Sequence, residues 1–227
     1  MTLAAHHAGD AHPEHPDPSL QALRPIEPAF VAGDAVSAAR ALLGTLVVRD
    51  DRGKRHLGRI VETEAYAGRD DRASHARAGR TQRTAVMFGP PGVAYVYLVY
   101  GMHHCLNVVC GPTGVASAVL IRALEPVAGL ERMRERRGRT AGPDERVAAG
   151  PARLCQALGI DRSFGGDDLL TPGRLWLAQP PVATADPEII SGPRIGVEYA
   201  GPQSASRPWR FGIAGSAALS RPFTAGA

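Results

Sequence analysis

Lysine is almost missing from this 227-residue chain, because Lys54 is its only lysine among 26 basic residues. Mechanisms that form a Schiff base need an amine, so such chemistry would have one side chain to draw on. Lys54 lies in a polar turn, residues 50–55. The composition therefore argues against covalent amine catalysis.

Cysteines and long apolar runs are also scarce. The three cysteines, Cys105, Cys110 and Cys155, are too few and odd in number for a disulfide framework, and they fit buried thiols in a reducing cytosol. No apolar run approaches the ~20 residues that a bilayer requires, so we expect no membrane association. The first 28 residues lack the apolar stretch of a signal peptide.

Motifs for metals and for phosphate-cradling loops are absent. The sequence contains no Cys-x-x-Cys, no His-Glu-x-x-His and no zinc-deaminase signature. His103 and His104 alternate along a predicted strand and would point to opposite faces. We therefore expect no metal site and no nucleotide hydrolysis.

Aromatic residues make up only 5% of the chain, yet four of the five tyrosines fall between Tyr66 and Tyr100. Three belong to residues 95–102, and the fourth closes a strand-like segment that carries Glu62 and Glu64. The net charge of +4 is compatible with a polyanionic partner. Aromatic faces beside carboxylates in a basic protein indicate a nucleobase and a hydrolytic step.

The chain divides into a tail and one domain. Residues 1–28, rich in His and Pro, are predicted to be a disordered tail; residues 29–222 form the domain, and residues 223–227 form a short second tail. Asp34 is predicted to cap the first helix. The predicted helices are 35–43, 126–137 and 151–158; the predicted strands are 45–49, 57–66, 93–100, 103–109, 114–124, 175–177, 194–199 and 210–213, with a long polar loop at 67–92.

Strand alternation would place Ile60, Glu62, Glu64 and Tyr66 on one face, about 6–7 Å apart. Glu64 and Tyr66 could then bracket one small molecule, the ring by stacking and the carboxylate by handling a water. The alternative is a solvated strand edge with ion pairs to Arg59 or Arg77, which is the commoner arrangement for such a pattern.

The segments at 93–100 and 103–109 predict a β-hairpin with the two-residue connection Gly101-Met102. Tyr95 and Tyr97 would share one face, and Tyr100 would lie at the tip. An aromatic side chain there could wedge between base pairs, or it could fold back onto the core. Two groups of arginines could follow phosphates or form solvated faces: Arg69, Arg72, Arg77, Arg80 and Arg83 in the loop, and Arg132, Arg134, Arg136, Arg137 and Arg139 at a helix end.

Several of these segments together resemble the alkyladenine (3-methyladenine) DNA glycosylases of the single-domain type. The resemblance covers roughly residues 30–220, and a series of ordered matches is far more specific than one short motif. The matching segments are residues 59–66, Ser74-His75, residues 95–102 with Cys105 and Asn107, and residues 120–126, 150–158 and 193–196.

The resemblance implies a mixed α/β (α+β) single domain with a curved antiparallel sheet, flanking helices and a protruding hairpin that inserts into DNA. It also implies the site residues. Glu64 would be the general base, and Arg122 and the Ile195 carbonyl would help to hold the attacking water. Tyr66 would stack on one face of the flipped purine, and His75 and Tyr97 would stack on the other face. The main chain at His75 would bind the edge of the base, and Asn107 would exclude guanine. Tyr100 and Met102 would fill the gap that the flipped base leaves in the duplex.

The activity implied by the resemblance is base excision. The enzyme would flip an alkylated or deaminated purine (3-methyladenine, 7-methylguanine or hypoxanthine) from double-stranded DNA through the minor groove and hydrolyse the N-glycosidic bond. No cofactor is required, and a monomer suffices. Because Lys54 is remote from the motifs, we expect a monofunctional enzyme without lyase activity, in the cytoplasm and on the nucleoid if the source is bacterial.

Two readings without this chemistry remain open. One is a binding module for lesions or structured nucleic acid, and the other is a formyltransferase-like tRNA-binding domain. Both would use the aromatic residues and arginines, but neither needs Glu64 with Arg122. His103 and His104 depart from the aromatics that some relatives have after the tip, which leaves lesion preference open.

Overall fold

The computed structural model describes residues 22–138, 142–182 and 186–223, and within them it shows a mixed α+β domain on one antiparallel sheet. The fold class that the resemblance implied is confirmed. The eight described strands are β1 (Leu46–Asp51), β2 (Lys54–Ala67), β3 (Ala94–Val99), β4 (His103–Cys110), β5 (Ser117–Ala128), β6 (Leu175–Ala178), β7 (Ile189–Gly192) and β8 (Arg210–Ile213). The α-helices in the same ranges are α1 (Ala29–Ala32), α2 (Ala35–Ala41), α3 (Leu130–Arg137), α4 (Pro151–Leu158) and α5 (Pro202–Ala205).

The longest strand, β2, lies at the centre of the sheet. The strand order is β3-β4-β5-β2-β1-β6, with β8 on the second half of β2 and β7 beside β8. β2 has hydrogen-bonded neighbours on both sides, so it is not an edge strand there, and Glu62 and Glu64 are both 0% exposed. The solvated strand edge considered from the sequence is therefore wrong, and Arg59 pairs with Glu125 instead.

Three irregularities interrupt the β2–β5 pairing, and two of them lie at the acidic segment of β2. Ile60 pairs with Leu124 but Glu62 pairs with Ala123, so Val61 is an extra residue on β2. Ile60 consequently joins the main core cluster with Val61 and does not share the face of the two acids, which corrects the predicted pattern. A bulge of this kind re-aims side chains, and bulges are common beside active sites.

The second irregularity lies on β5. Thr63 pairs with Ile121 while Glu62 pairs with Ala123, so Arg122 is the extra residue on that strand. The sheet therefore places Arg122 opposite the acidic segment of β2 through a local departure from regular pairing.

Helix α2 anchors the other face of β2. Asp34 caps it by accepting hydrogen bonds from the backbone N–H groups of Val36 and Ser37, as predicted. The hydroxyl of Thr63 donates to the Ala39 carbonyl at 2.8 Å and joins the strand to the helix. Helix α4 has the predicted bounds, with Pro151 at its start and Gly159 after its end.

The hairpin of β3 and β4 differs from the prediction in its turn. Val99 pairs with His103, so the connection has three residues, Tyr100, Gly101 and Met102, rather than two. Both Tyr100 (φ 51°) and Gly101 (φ 72°) have positive φ, the sign pattern of a type I′ turn. Glycine adopts this conformation freely, whereas it is strained for a tyrosine.

Two other predicted elements are corrected. The helix predicted from residue 126 begins at Leu130, because Pro126 lies at an irregularity of β5, where a proline is tolerated. The strand predicted at residues 194–199 does not form; β7 lies before it, and Glu198–Ala200 is a 3-10 turn. The loop at 67–92 contains two 3-10 turns, His75–Ala78 and Ala85–Phe88.

The tail predicted at residues 1–28 lies mostly outside the described residues. Residues 22–28 are described, and Ile26 is buried and donates its backbone N–H to the Leu177 carbonyl at 3.1 Å. No helix in the described ranges is both long and apolar enough for a membrane span.

Candidate active site

The carboxylate of Glu64 lies at the centre of the site and contacts three donors. Its Oε1 accepts the backbone N–H of Ile195 at 2.7 Å. Its Oε2 accepts the Tyr66 hydroxyl at 2.8 Å and lies 3.1 Å from Nη1 of Arg122. An ionised carboxylate has about four acceptor sites, so these contacts leave one for a further donor such as water.

The structure thus brings together four residues that the sequence predicted: Glu64, Arg122, Tyr66 and Ile195. For Ile195 the contact shown is the donation from its N–H to Glu64; the predicted role of its carbonyl as a water ligand stays a prediction.

Arg122 is held on several sides and is nearly buried. Its Nε donates to Glu62 Oε1 at 3.1 Å, and its Nη2 donates to the Ser220 hydroxyl at 3.3 Å. Burial by itself lowers the pKa of Arg122, but the neighbouring Glu64 and Glu62 outweigh this, so the net pKa is raised. The guanidinium therefore stays charged beside Glu64.

Glu62 is a second fully buried carboxylate, for which the sequence predicted no role. Besides Arg122, it accepts Nη1 of Arg210 at 3.4 Å and the backbone N–H and hydroxyl of Ser220 at 2.5 and 2.8 Å. Two carboxylates and two guanidinium groups therefore form one compensated cluster. Only the proximity of Glu62 to Glu64 along β2 could have suggested this role, because Arg210 and Ser220 lie far away in sequence.

Tyr66 is fixed from two directions. Burial chiefly, with a further contribution from Glu64, raises the pKa of Tyr66 well above its ordinary value, so the hydroxyl remains a donor to that carboxylate. The guanidinium of Arg194 lies over the Tyr66 ring, 4.8 Å from its centroid. Arg194 is in turn bound to Asp71 and to the Ala65 carbonyl. Arg194 and Asp71 were not identified from the sequence.

A group of three rings forms a wall beside the carboxylates. His75 meets Tyr97 edge-on, with centroids 4.6 Å apart, and its Nδ1 lies 3.0 Å from the Tyr95 hydroxyl. Burial, followed by the charges of Arg83 and Arg77, lowers the pKa of His75 to about 4, so the ring is neutral at pH 7. Burial also raises the pKa of Tyr97, with smaller contributions from the neighbouring Cys105, Tyr95 and Glu64.

Asn107 lies beside this wall and is 3% exposed. Its side-chain Nδ2 donates to the Tyr95 carbonyl at 3.0 Å, and its backbone pairs with Tyr95 and Leu120 on the two neighbouring strands. The amide is thus fixed in orientation next to the aromatic residues.

Tyr100 and Met102 are not brought to the carboxylates. They lie at the tip of the hairpin and are 88% and 69% exposed. The alternative in which Tyr100 folds back onto the core is therefore wrong. The tip therefore presents two large apolar side chains to solvent.

The two groups of arginines differ in their partners. Four arginines of α3 have partners within the chain: Arg132 with Glu135, Arg134 with Asp144, Arg136 with Asp51 and Arg137 with Gln156. Arg139 lies outside the described residues. The five arginines of the 67–92 loop are exposed. Within the described residues, none of them forms an ion pair with a carboxylate.

A cleft of about 270 Å³ adjoins the carboxylate cluster. Arg122, Arg146, Arg153 and Arg221 line it together with Ile195, and no carboxylate does. Its charge suits an anion. Within the described residues, no group of three or more His, Cys, Asp or Glu side chains could hold a metal ion.

Comparison with known proteins connects this geometry to a family. The family model "Methylpurine-DNA glycosylase (MPG)" matches residues 29–217. A protein of Anaeromyxobacter dehalogenans named "Putative 3-methyladenine DNA glycosylase" is 51% identical over 194 residues, 86% of each chain. Proteins with the same name from Myxococcus xanthus (47% identical; 85% of this chain and 91% of the relative) and Koribacter versatilis (43%; 93% and 98%) are also similar.

Proposed function

The chain belongs to the methylpurine-DNA glycosylase family and so has the role of a DNA glycosylase, and we propose that it excises alkylated or deaminated purines from duplex DNA, with Glu64 as its general base. The observation that carries this proposal is the buried Glu64 carboxylate, held by Arg122, Tyr66 and the Ile195 N–H, with one acceptor site left over. A binding module without chemistry would have no use for such a centre.

In the proposed reaction, a water that donates to Glu64 attacks C1′ of the flipped nucleotide. Its oxygen bonds to C1′, Glu64 takes the proton, and the bond from C1′ to the base nitrogen breaks, with the electron pair leaving on the base. A cationic alkylated purine leaves as a neutral molecule and needs no further proton, whereas hypoxanthine leaves as an anion that then takes a proton from water. The product is an abasic site, and the chain's own residues suffice without a cofactor.

The aromatic wall supports recognition of a base. His75 and Tyr97 present two adjacent rings, and stacking on such a ring contributes about 1–3 kcal/mol per base. We propose that the purine enters between this wall and Tyr66, with Asn107 beside it to exclude the amino group of guanine. The damaged purines 3-methyladenine, 7-methylguanine and hypoxanthine all fit this class.

We propose that the hairpin tip enters the minor groove, with Tyr100 and Met102 filling the space that the base vacates. Their exposure supports this, because unstacking a base costs a few kcal/mol, which a wedge offsets. Phosphates would meet the exposed loop arginines and the cationic cleft, rather than the arginines of α3 that already have partners. One pocket and one tip suffice for a monomer, which would work where the DNA lies, on the nucleoid in a bacterium.

We propose further that the enzyme is monofunctional. Lys54 is exposed at the first residue of β2, and Glu64 lies ten residues further along that strand, roughly 30 Å away. A Schiff base at the reacting sugar is out of its reach. Strand breaks produced by pure protein above background would contradict this part of the proposal.

The test is single-turnover release of base from one duplex with hypoxanthine and another with 7-methylguanine, for the wild type and Glu64→Gln. We expect Glu64→Gln to bind lesion DNA as the wild type does and to release base about 10²–10⁴-fold more slowly, the usual contribution of a general base. Glu125→Gln is the matched control, since Glu125 is a partly exposed carboxylate bonded to Ser216 and Arg59, and it should react at the wild-type rate.

Two results would contradict the proposal. Wild-type protein that binds both duplexes tightly but releases nothing would favour the binding module. A Glu64→Gln variant that keeps full activity would remove Glu64 from the role of general base.

A further inference from the structure

The chain after β8 forms a strap, residues 214–223, across the carboxylate cluster. The strap is held by packing that does not involve the site: Ala218 is buried, and a Cβ on Gly212 would lie 2.7 Å from Phe223 and 2.9 Å from Leu219. Arginine side chains anchor its backbone as well, since Arg146 donates to the Leu219 carbonyl at 2.6 Å and Arg210 to the Pro222 carbonyl at 2.9 Å. The strap is therefore packed against the domain and hydrogen-bonded to it.

Pro222 and Phe223 of the strap contact Arg210, and Ser220 contacts both Glu62 and Arg122. The Ser220 hydroxyl donates to Glu62 Oε1 at 2.8 Å and accepts Nη2 of Arg122 at 3.3 Å. The Ser220 backbone N–H donates separately to Glu62 Oε2 at 2.5 Å. A single hydroxyl thus bridges the second carboxylate and the guanidinium.

These contacts account for every nitrogen of the Arg122 guanidinium. Nε is bound by Glu62, Nη2 by Ser220, and Nη1 by Glu64. A planar guanidinium fixed at two of its nitrogens has little freedom at the third. The orientation of Nη1 toward Glu64 is therefore determined by residues that do not touch Glu64 themselves.

We propose that Ser220, with Glu62, is a positioning residue that holds Arg122 in the orientation that serves Glu64, which makes the strap a working part of the active site. The catalytic consequence rests on the proposed function, whereas the positioning of Arg122 does not. In this role Ser220 acts through Arg122; its side chain also lines the cationic cleft.

The experiment compares Ser220→Ala and Ser220→Thr with Ser216→Ala in the full chain. Ser216 is a matched control, because it lies in the same strap and its hydroxyl donates to Glu125 at 2.6 Å, away from Arg122. Three quantities are measured: the single-turnover rate of base release, the Kd for lesion DNA, and the solvent exchange of the Arg122 Nε–H by NMR, assigned by its loss in Arg122→Lys.

We expect Ser220→Ala to lower the rate roughly tenfold, as for a lost hydrogen bond to a charged group, with an unchanged Kd. The Arg122 Nε–H should exchange faster in Ser220→Ala only. Ser220→Thr, which keeps the hydroxyl, should restore rate and exchange, and Ser216→Ala should match the wild type in both.

Two outcomes would overturn the proposal. Equal rate losses in Ser220→Ala and Ser216→Ala, in proportion to their losses of stability, would show a merely structural role. Unchanged Arg122 Nε–H exchange in Ser220→Ala would show that Ser220 does not position Arg122. If the wild type released no base, the proposed function would fail, while the exchange measurement would still decide the positioning.

Discussion

The carboxylate cluster and the hairpin tip are built by opposite means. At the cluster, Glu62 and Glu64 are fully buried, and apart from the neighbouring Tyr66 their donors come from distant parts of the chain. At the tip, Tyr100 and Met102 are largely exposed, and the turn is held by a 3.1 Å hydrogen bond from the Met102 N–H to the Val99 carbonyl.

The difference follows from what each region would do. Proton transfer needs groups held at fixed distances in a medium of low dielectric, where charges act strongly. A wedge needs apolar surface that water covers until DNA replaces it. We therefore expect substitutions in the cluster to affect stability and chemistry together, and substitutions at the tip to affect only the DNA step.

The largest effect should come from removing the shared cation of the cluster. Arg122→Met leaves Glu64 without its ion pair and Glu62 with Arg210 alone, so we expect the free energy of unfolding to fall by about 3–5 kcal/mol. Arg132→Met is the control, because its pair with Glu135 is exposed and should change stability by less than about 1 kcal/mol. Urea unfolding measures both, and equal losses would contradict the contrast.

A smaller effect, confined to the DNA step, is expected at the tip. Tyr100→Ala should lower base release at subsaturating lesion DNA by about 10–100-fold, since a stacked ring contributes about 1–3 kcal/mol. Its free energy of unfolding should change by less than about 0.5 kcal/mol, as for an exposed side chain. Tyr100→Phe keeps the ring and should remain active; a fully active Tyr100→Ala would exclude the wedge.

The smallest effect concerns the half-buried aromatic wall and comes from the pKa of His75. This pKa is about 4 in the folded protein against an ordinary 6.5, so between these values the unfolded chain binds more protons. The free energy of unfolding should therefore fall as pH drops from 6.5 to 4, by about 1–2 kcal/mol from His75 after solvent screening, with no contribution above that window.

Urea unfolding at pH 7 and pH 4.5 tests this, with His75→Gln as the variant that cannot titrate there. We expect the variant to lose less stability than the wild type over that interval. Equal losses would show that His75 does not account for the pH dependence.

Local patterns predicted much of the scaffold correctly. Three features were predicted correctly: the Asp34 cap, helix α4 between Pro151 and Gly159, and the shared face of Tyr95 and Tyr97 on β3. Each of them depends on residues that are close together in the sequence. The wrong predictions concern segments in which the local conformational preference of a residue differs from the conformation that strand pairing requires. Pro126 has the local preference of a helix start, but it lies within β5. The three-residue turn requires a positive φ at Tyr100, which tyrosine disfavours.

The sequence alone determined the family, a strand that carries the two acids, and the residues Glu64, Arg122, Tyr66 and Ile195 that the structure brings together. The tertiary structure decided that Glu62 shares Arg122 with Glu64, that a bulge aims Arg122 at them, and that Ser220 completes the cluster. Ser220 and Glu62 are 158 positions apart, and a contact between residues so far apart produces no periodic pattern that could be recognised in the sequence. Hydrogen bonds in a buried cluster depend on distance in space, and only the packed sheet sets that distance.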